Sequence, residues 1–331
     1  MAAPVSSPEG VLERLADVAA LERPAEAKRM LVIVNPYATT MSDRLKHLVV
    51  YALQGRYEVH AVDTQRRGHA TELCREAANE GYDVVVAFGG DGTVNEAANG
   101  LVGTATPLTC LPGGSNNVFA KMLGIPADVV DATEHLLLMA DRWQPRHADL
   151  GLANGRRFTF AAGMGLDASV VERVDSHPHL KTRFGVWYFT EAAIATFLRR
   201  YVVRPPRLEV QAGGQTYRGV SAFFQNGAPY TYFNNRPIDL VEGASLESGD
   251  LAGVVLTRAN PFDVPTVMFR ALSGAARIAK HRRVEAFRGI AEATVRSLDG
   301  RPVPFQVDGD HIGDAEEVRF EIEPAALRVV S

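Results

Sequence analysis

Cysteine is scarce in this chain: Cys74 and Cys110 are the two among 331 residues. They lie in unrelated segments without CxxC or zinc spacing, which excludes a disulfide framework and a structural zinc site. Both read as small buried hydrophobes, and a reducing compartment suits them. Long apolar runs are also missing, since no segment approaches the roughly 20 uninterrupted apolar residues of a membrane-spanning helix. The opening MAAPVSSPEG lacks the charged stretch and apolar core of a secretory signal. The expectation is therefore a soluble, cytoplasmic protein. Charge of one sign is not run together: the net charge is −4 with Lys and Arg dispersed, which argues against a nucleic-acid partner. His177 and His179 have no accompanying carboxylate or cysteine set, so no zinc is assigned to them. Internal repeats and low-complexity linkers are absent as well.

What is present suits two ordinary domains, because 331 residues with 46% apolar and 22% charged content suffice for two cores. Residues 1–28 carry VLERLADVAALE, whose apolar spacing predicts a short helical appendage ahead of Pro24. From Met30 onward, apolar runs alternate with helical segments: MLVIVNP, SDRLKHLVVYALQG, YEVHAVDT, GHATELCREAANEG, YDVVVAFGG and TVNEAANGLVG. That alternation predicts an α/β domain over 29–145, a parallel sheet with covering helices. After about Trp143, strand-like stretches such as RRFTFAAGMG, RLEVQAGGQTYRG and SAFFQNG are separated by turns. They predict a mostly antiparallel, β-sandwich-like domain over 146–319. Two helical insertions interrupt it, GVWYFTEAAIATFLRRYV and PFDVPTVMFRALSGAARIAKHRR.

FGGDGTVNE follows one of the predicted buried strands and precedes a helix, where α/β proteins place phosphate groups. Gly89, Gly90 and Gly92 would let the backbone turn and approach a ligand closely. Asp91 among them is sensible if it accepts backbone amides, orients a hydroxyl or meets Mg²⁺; a plain glycine turn with an Asp cap is the alternative. LPGGSNN repeats the pattern, with Gly114 at the turn and Ser115 as either a helix cap or a phosphate ligand. Two such turns favour a nucleotide phosphate chain. Asn35, at the end of the first strand, and Thr64, at the end of the second, either close a turn or touch a nucleotide. Asp308 and Asp310 flank Gly309 at an Asp-Gly hairpin signal.

In combination, VNPYATT, FGGDGTVNE, LPGGSNNVFAKMLGIP, GASLESGDLAGVVL and FQVDGDHIGDAEEVRFEIEPAALRVV resemble the diacylglycerol kinase catalytic family, in its soluble bacterial branch. The resemblance runs from about Met30 to the C-terminus. It implies an ATP- and Mg²⁺-dependent lipid kinase with the nucleotide between two domains and a last strand, about 320–331, returning to the first. Residues carried over are Asn35, Thr64, Gly90, Asp91, Gly92, Thr93, Val94, Asn95, Glu96 and Ser115 for the nucleotide. Asp91 is the expected neighbour of ATP-borne magnesium. The Asp-Gly-Glu carboxylates fall at Asp308 and Asp310, with Asp310 the favoured base and Asp308 its support or substitute. Two departures stand out: Asp310 is one methylene shorter than the family's Glu, and Ser248 stands where an auxiliary magnesium loop has Asp.

The implied acceptor is diacylglycerol, with a sphingoid base, phosphatidylglycerol or an isoprenoid alcohol as alternatives, and a non-catalytic binding protein as the rival of another class. NAD kinases share GGDGT, but the LPGGSNN turn and the VDGD tail match the lipid kinases better. A lipid acceptor implies peripheral contact with the inner face of the membrane. Trp187, Tyr188, Phe189, Arg199, Arg200, Arg204 and Arg207 are candidates for it, as is the KHRR cluster Lys280–Arg283; plain amphipathic packing and a helix-dipole role are the alternatives. Homodimers occur among relatives, an analogy only.

Overall fold

The computed structural model describes residues 27–38, 42–140, 142–166, 168–169, 205–233, 236–261, 263–274 and 276–331. The expected helix over 11–22, His177, His179, and the interfacial candidates Trp187, Tyr188, Phe189, Arg199, Arg200 and Arg204 lie outside them. Elements are numbered within the described residues. The chain divides into two compact units, one reaching to His147 and including Leu327–Ser331, the other Ala148–Ala326.

In the first unit, β1 (Arg29–Val34), β2 (Glu58–Asp63), β3 (Val84–Gly89) and β4 (Leu108–Pro112) form a parallel sheet in the order β2-β1-β3-β4. β3 and β4 are buried at every position, because central parallel strands are covered on both faces; this is why their sequences read as continuous apolar runs. The helices are α1 (Asp43–Gln54), α2 (His69–Asn79), α3 (Asp91–Leu101), α4 (Val118–Met122) and α5 (Val129–Met139). Ser42 caps α1 by accepting the Leu45 amide, and Asp128 caps α5 by accepting those of Val130 and Asp131. Val329, in the last strand, pairs in parallel with Leu108. Both cysteines are buried, and burial pushes their thiols up, Cys74 to about 12, so neither is a nucleophile.

The second unit is built from antiparallel pairs. One sheet contains β5 (Arg146–Ala153), β6 (Arg156–Phe158), β8 (Leu208–Ala212), β9 (Gln215–Gly219), β15 (Glu292–Ser297) and β18 (Glu317–Val329). The other runs β14-β13-β10-β7-β16-β17, comprising β7 (Ala161–Met164), β10 (Ser221–Gln225), β13 (Leu251–Leu256), β14 (Val284–Ile290), β16 (Val303–Val307) and β17 (Asp310–Ala315). A short ribbon, β11 (Thr231–Phe233) with β12 (Arg236–Ile238), stands apart. The core lies between the sheets, where Phe224 of β10 stacks on Phe320 of β18 with ring centroids 4.0 Å apart.

The second helical insertion is shorter than its sequence suggests. α6 covers Asp263–Ser273, and Gly274 then takes a left-handed φ of 63°, ending the helix. KHRR is therefore not the closing turn of that helix. Arg282 and Arg283 instead reach back to Asp263 in the first turn of α6, with closest approaches of 2.6 and 2.9 Å. The two guanidiniums, helped by Asn260, hold the Asp263 carboxyl well below the usual carboxylate range despite its burial.

Candidate functional site

The parallel strands of the first unit bring their C-terminal ends to one sheet edge, and most of the nucleotide candidates sit there. Asn35 follows β1, Thr64 follows β2, Gly90 follows β3 and Gly113 follows β4. The Asn35 amide donates to Phe88 O at 3.0 Å and the Thr64 amide to Val34 O at 2.8 Å, so the strand ends are laced together. Asn35 Oδ1 accepts the Tyr37 amide at 3.0 Å while its Nδ2 donates to Thr93 Oγ1 at 3.2 Å. It both closes a turn and couples the first strand to the GGDGT segment.

The glycines of GGDGT bring two stretches of main chain together. None of Gly89, Gly90 and Gly92 has a left-handed φ, and Asp91 and Gly92 already belong to the first turn of α3. The need is for close approach of two backbones. A Cβ on Gly114 would lie 2.7 Å from Gly90 Cα, and one on Gly113 would lie 3.0 Å from Gly89 Cα. The Gly113 amide donates to Gly89 O at 2.9 Å, joining the two glycine turns directly. With no side chains between them, the turns expose main chain at two helix starts, a surface suited to phosphate oxygens.

Asp91 joins the same two turns. Its Oδ1 accepts the Phe119 amide at 3.3 Å, so the carboxylate of α3's first turn meets the first turn of α4. Lys121 is near: burial lowers its ammonium pKa, and the charge of Asp91 opposes that shift. Ser115 is exposed and is not the helix cap; Asn117 occupies that position with φ 49°. Asn117 Oδ1 accepts the Gly114 amide at 2.9 Å and its Nδ2 donates to Gly114 O at 2.7 Å, clamping the loop from both sides.

The far end of the motif serves the fold. Val94 is 3% exposed and its amide donates to Gly90 O, so neither part faces the sheet edge. Asn95 is buried and accepts from Asn99, while Glu96 Oε2 accepts the Ala70 amide at 3.3 Å at the start of α2, whose Gly68 cap has no side chain. Asn35, Thr64, Gly89, Gly90, Asp91, Gly92, Thr93, Gly114 and Ser115 stay at or beside the edge.

In the second unit, Asp308 and Gly309 form a two-residue hairpin turn between β16 and β17, both with positive φ (49° and 80°). The Asp308 carboxylate is enclosed. Its Oδ2 accepts the Thr159 amide at 2.7 Å and the Thr159 hydroxyl at 2.8 Å; its Oδ1 accepts the amides of Phe160 and Ala161 at 3.0 and 3.1 Å. Burial pushes the carboxyl up, and those four donors pull the other way. Asp308 thus holds the hairpin against residues 159–161. Asp310 is the partly exposed residue that the turn presents, opposite Val307. Replacing Asp308 by Ala would leave buried amides without acceptors and is expected to cost about 3 kcal/mol of stability, visible as a lowered thermal midpoint, with a smaller loss for Asp310→Asn.

The GASLESGD loop is held by Asp149, which sequence reasoning missed. Asp149 is 4% exposed; its Oδ2 accepts the Gly249 amide at 2.6 Å and its Oδ1 the Ala325 amide at 2.8 Å. Ser248 Oγ donates to Ser245 O at 2.9 Å and lies 3.0 Å from Asp250 Oδ1. Among the described residues no group of three or more His, Cys, Asp or Glu is arranged to hold a metal. Ser248 offers this loop a neutral hydroxyl, where a hard cation favours a carboxylate. A cation carried by phosphates differs, because it needs only one or two protein carboxylates, and Asp91 fits that requirement.

Comparison with known proteins finds relatives described as diacylglycerol kinases. A profile of the diacylglycerol kinase catalytic domain matches residues 29–151. A Bacillus subtilis (strain 168) diacylglycerol kinase is 30% identical over 254 residues, spanning 75% of this chain and 80% of its own. A Staphylococcus aureus (strain MRSA252) diacylglycerol kinase is 27% identical over 298 residues, spanning 86% and 87%. A solved structure from Bacillus anthracis str. Sterne shares the fold, superposing with a TM-score of 0.74 at 21% identity and covering 92% of this chain and 96% of that one.

Proposed function

The chain belongs to the diacylglycerol kinase family and is a lipid kinase, and from that premise we propose that it transfers the γ-phosphoryl group of ATP to the free hydroxyl of diacylglycerol, forming phosphatidic acid. The observation that carries the nucleotide half is the pair of apposed glycine turns, Gly89–Gly90 against Gly113–Gly114. Such a surface holds a phosphate chain through main-chain donors, with Asn35, Thr64 and Ser115 at its margin. Asp91 is the carboxylate that would meet magnesium on the phosphates, and Lys121 lies beside it. When bound, Mg²⁺ neutralises charge that builds up during transfer.

For the acceptor half we assign Asp310. Its carboxylate takes the proton of the lipid hydroxyl as that oxygen bonds to the γ-phosphorus; the bond to the bridging oxygen breaks and ADP leaves. Asp308 positions the turn that carries Asp310. The relatives' descriptions favour diacylglycerol over other lipid alcohols, and the lipid surface would make the enzyme act at a membrane face.

An acceptor panel tests this assignment. With γ-labelled ATP, Mg²⁺ and detergent micelles, diacylglycerol is expected to be phosphorylated at least about tenfold faster than a sphingoid base, phosphatidylglycerol or an isoprenoid alcohol. A faster rate with any of those would move the substrate assignment. No labelled lipid at all would favour a binding protein.

A further inference from the structure

Gln225 and Gln306 are long polar side chains in places where a covered strand calls for apolar ones. Gln306 is 2% exposed and Gln225 is fully buried. β16 and β10 flank β7, and the register sets Gln306 opposite Gly163 and Gly163 opposite Phe223. Side chains alternate between the two faces of a strand, so Gln306 lies on the face away from the core that takes its neighbours Phe305 and Val307. A buried amide costs free energy unless its ends are bonded, and an apolar side chain of the same volume would fill the space without that cost. What each amide holds therefore matters.

Gln225 holds the cover of this face. Its Oε1 accepts the amides of Leu240 and Val241, each at 3.3 Å, and its Nε2 donates to Val241 O at 2.9 Å. Gln306 holds the VDGD turn: its Oε1 accepts the Gly309 amide at 2.8 Å, and its Nε2 donates to the Tyr230 hydroxyl at 3.2 Å. Tyr230 is itself fixed, because its amide donates to Ile238 O at 2.9 Å and its ring meets Phe223 edge-on with centroids 6.2 Å apart. The ladder between β16 and β17 keeps only Val307–Asp310 and Gln306–His311 in step before the register shifts, so it restrains the turn over a short length. Gly309 is exposed, and without Gln306 its amide would face water. The two turn residues are thus held by different means: Asp308 by its own carboxylate, Gly309 through its main chain to Gln306.

We infer that Gln306, braced by Tyr230, is a positioning residue for phosphoryl transfer: it fixes the Gly309 peptide and so sets the direction in which Asp310 leaves the turn. Asp310 pairs with Val307 and shares its face of the hairpin, whereas Gln306 lies on the other, so Gln306 acts through the main chain. The inference rests on the assignment of Asp310 as base. A general base is effective only when aligned with its proton, and a displacement of about 1 Å is worth on the order of 100-fold in rate.

The test uses the full chain with γ-labelled ATP, Mg²⁺ and short-chain diacylglycerol in detergent micelles. Gln306→Met, which keeps the volume and removes the bonds to Gly309 and Tyr230, is expected to lower kcat by about tenfold or more with KM for ATP unchanged. Gln306→Glu offers Gly309 an acceptor in either protonation state, and its kcat is expected within about threefold of wild type. Tyr230→Phe keeps the ring, loses the hydroxyl and is expected to lower kcat by about threefold. The deciding comparison adds Asp310→Asn: once that carboxylate is gone, Gln306→Met is expected to lower kcat no further, whereas a general loss of structure would add to it. Tyr230→Phe supports the same comparison if Gln306→Met does not fold. The Gly309 amide is also expected to exchange its hydrogen about tenfold faster in Gln306→Met than in wild type. An equal further loss in the double variant, unchanged exchange at Gly309, or a wild-type kcat in Gln306→Met beside a slow Asp310→Asn would overturn the positioning role alone. Full turnover in Asp310→Asn would instead overturn the base assignment, and the positioning role with it.

Discussion

Replacing Asp310 by Asn is expected to lower kcat for lipid phosphorylation by about 10²- to 10⁴-fold, while ATP affinity and fold stay close to wild type. The expectation follows from the division of labour in the VDGD hairpin. Asp308 spends both carboxylate oxygens on Thr159, Phe160 and Ala161, so it has no free acceptor capacity for a substrate proton. Asp310 stands two residues on, beyond Gly309, partly exposed at the start of β17. Activity and stability should therefore separate between the two positions: Asp308→Ala loses thermal stability first, and Asp310→Asn loses turnover with little change in the melting curve. Steady-state kinetics on both variants, together with their thermal midpoints, checks this. Full turnover in Asp310→Asn would remove it as the base. Asp310→Glu, which restores the family's longer side chain, addresses the methylene: a shift of the carboxylate by about 1 Å can change rate on the order of 100-fold.

The second large effect belongs to Gly114. Gly114→Ala places a methyl group 2.7 Å from Gly90 Cα, closer than a real contact allows, and 3.1 Å from Asn117 Oδ1. Gly90 Cα is backbone, so the two turns must separate. That separation moves the main-chain donors on which the phosphate reading depends. A displacement of about 1 Å at a reacting group is worth on the order of 100-fold in rate, and we expect a loss of that size in kcat/KM for ATP. Gly103→Ala provides the contrast, because Gly103 has φ 72° and nothing within 4 Å of a Cβ, away from the two glycine turns. It should cost stability through backbone strain and leave ATP kinetics alone. Equal ATP kinetics in wild type and Gly114→Ala would contradict the phosphate cradle.

The fold was legible in the sequence to the extent that local pattern determines it. β3 and β4 read as buried parallel strands because VVVAF and LTCLP are apolar without alternation, and the structure buries each of their residues. The change from helix-strand alternation to closely spaced strands after Trp143 likewise reports the antiparallel second unit. What the sequence hid was pairing over distance. Asp149 sits in an ordinary strand, ADLGL, and nothing local announces that it will hold Gly249 and Ala325. Asp308 carries a familiar turn signal, yet its four donors lie almost 150 positions away. Asn117 had a weak signal, an Asn immediately ahead of a helix, but Ser115 offered the commoner cap and drew the assignment.

The glycines show the same limit from the other side. Clustered glycine announces a turn and a close approach, but not that Gly89, Gly90, Gly113 and Gly114 meet one another where the parallel sheet sets two backbones side by side. Val94, Asn95 and Glu96 belong to the motif as written but face the interior and the start of α2. KHRR looked like the basic end of a helix because the sequence does not reveal that Gly274 stops α6 early and that Asp263 waits for Arg282 and Arg283.

The most direct test of the account is label transfer from γ-labelled ATP to short-chain diacylglycerol in mixed micelles with Mg²⁺, measured for wild type and Asp310→Asn side by side. The account predicts labelled phosphatidic acid from wild type and a rate lower by about 10²-fold or more from the variant. It would be contradicted by equal label transfer in the two proteins, or by a wild type that binds ATP and leaves the lipid unlabelled.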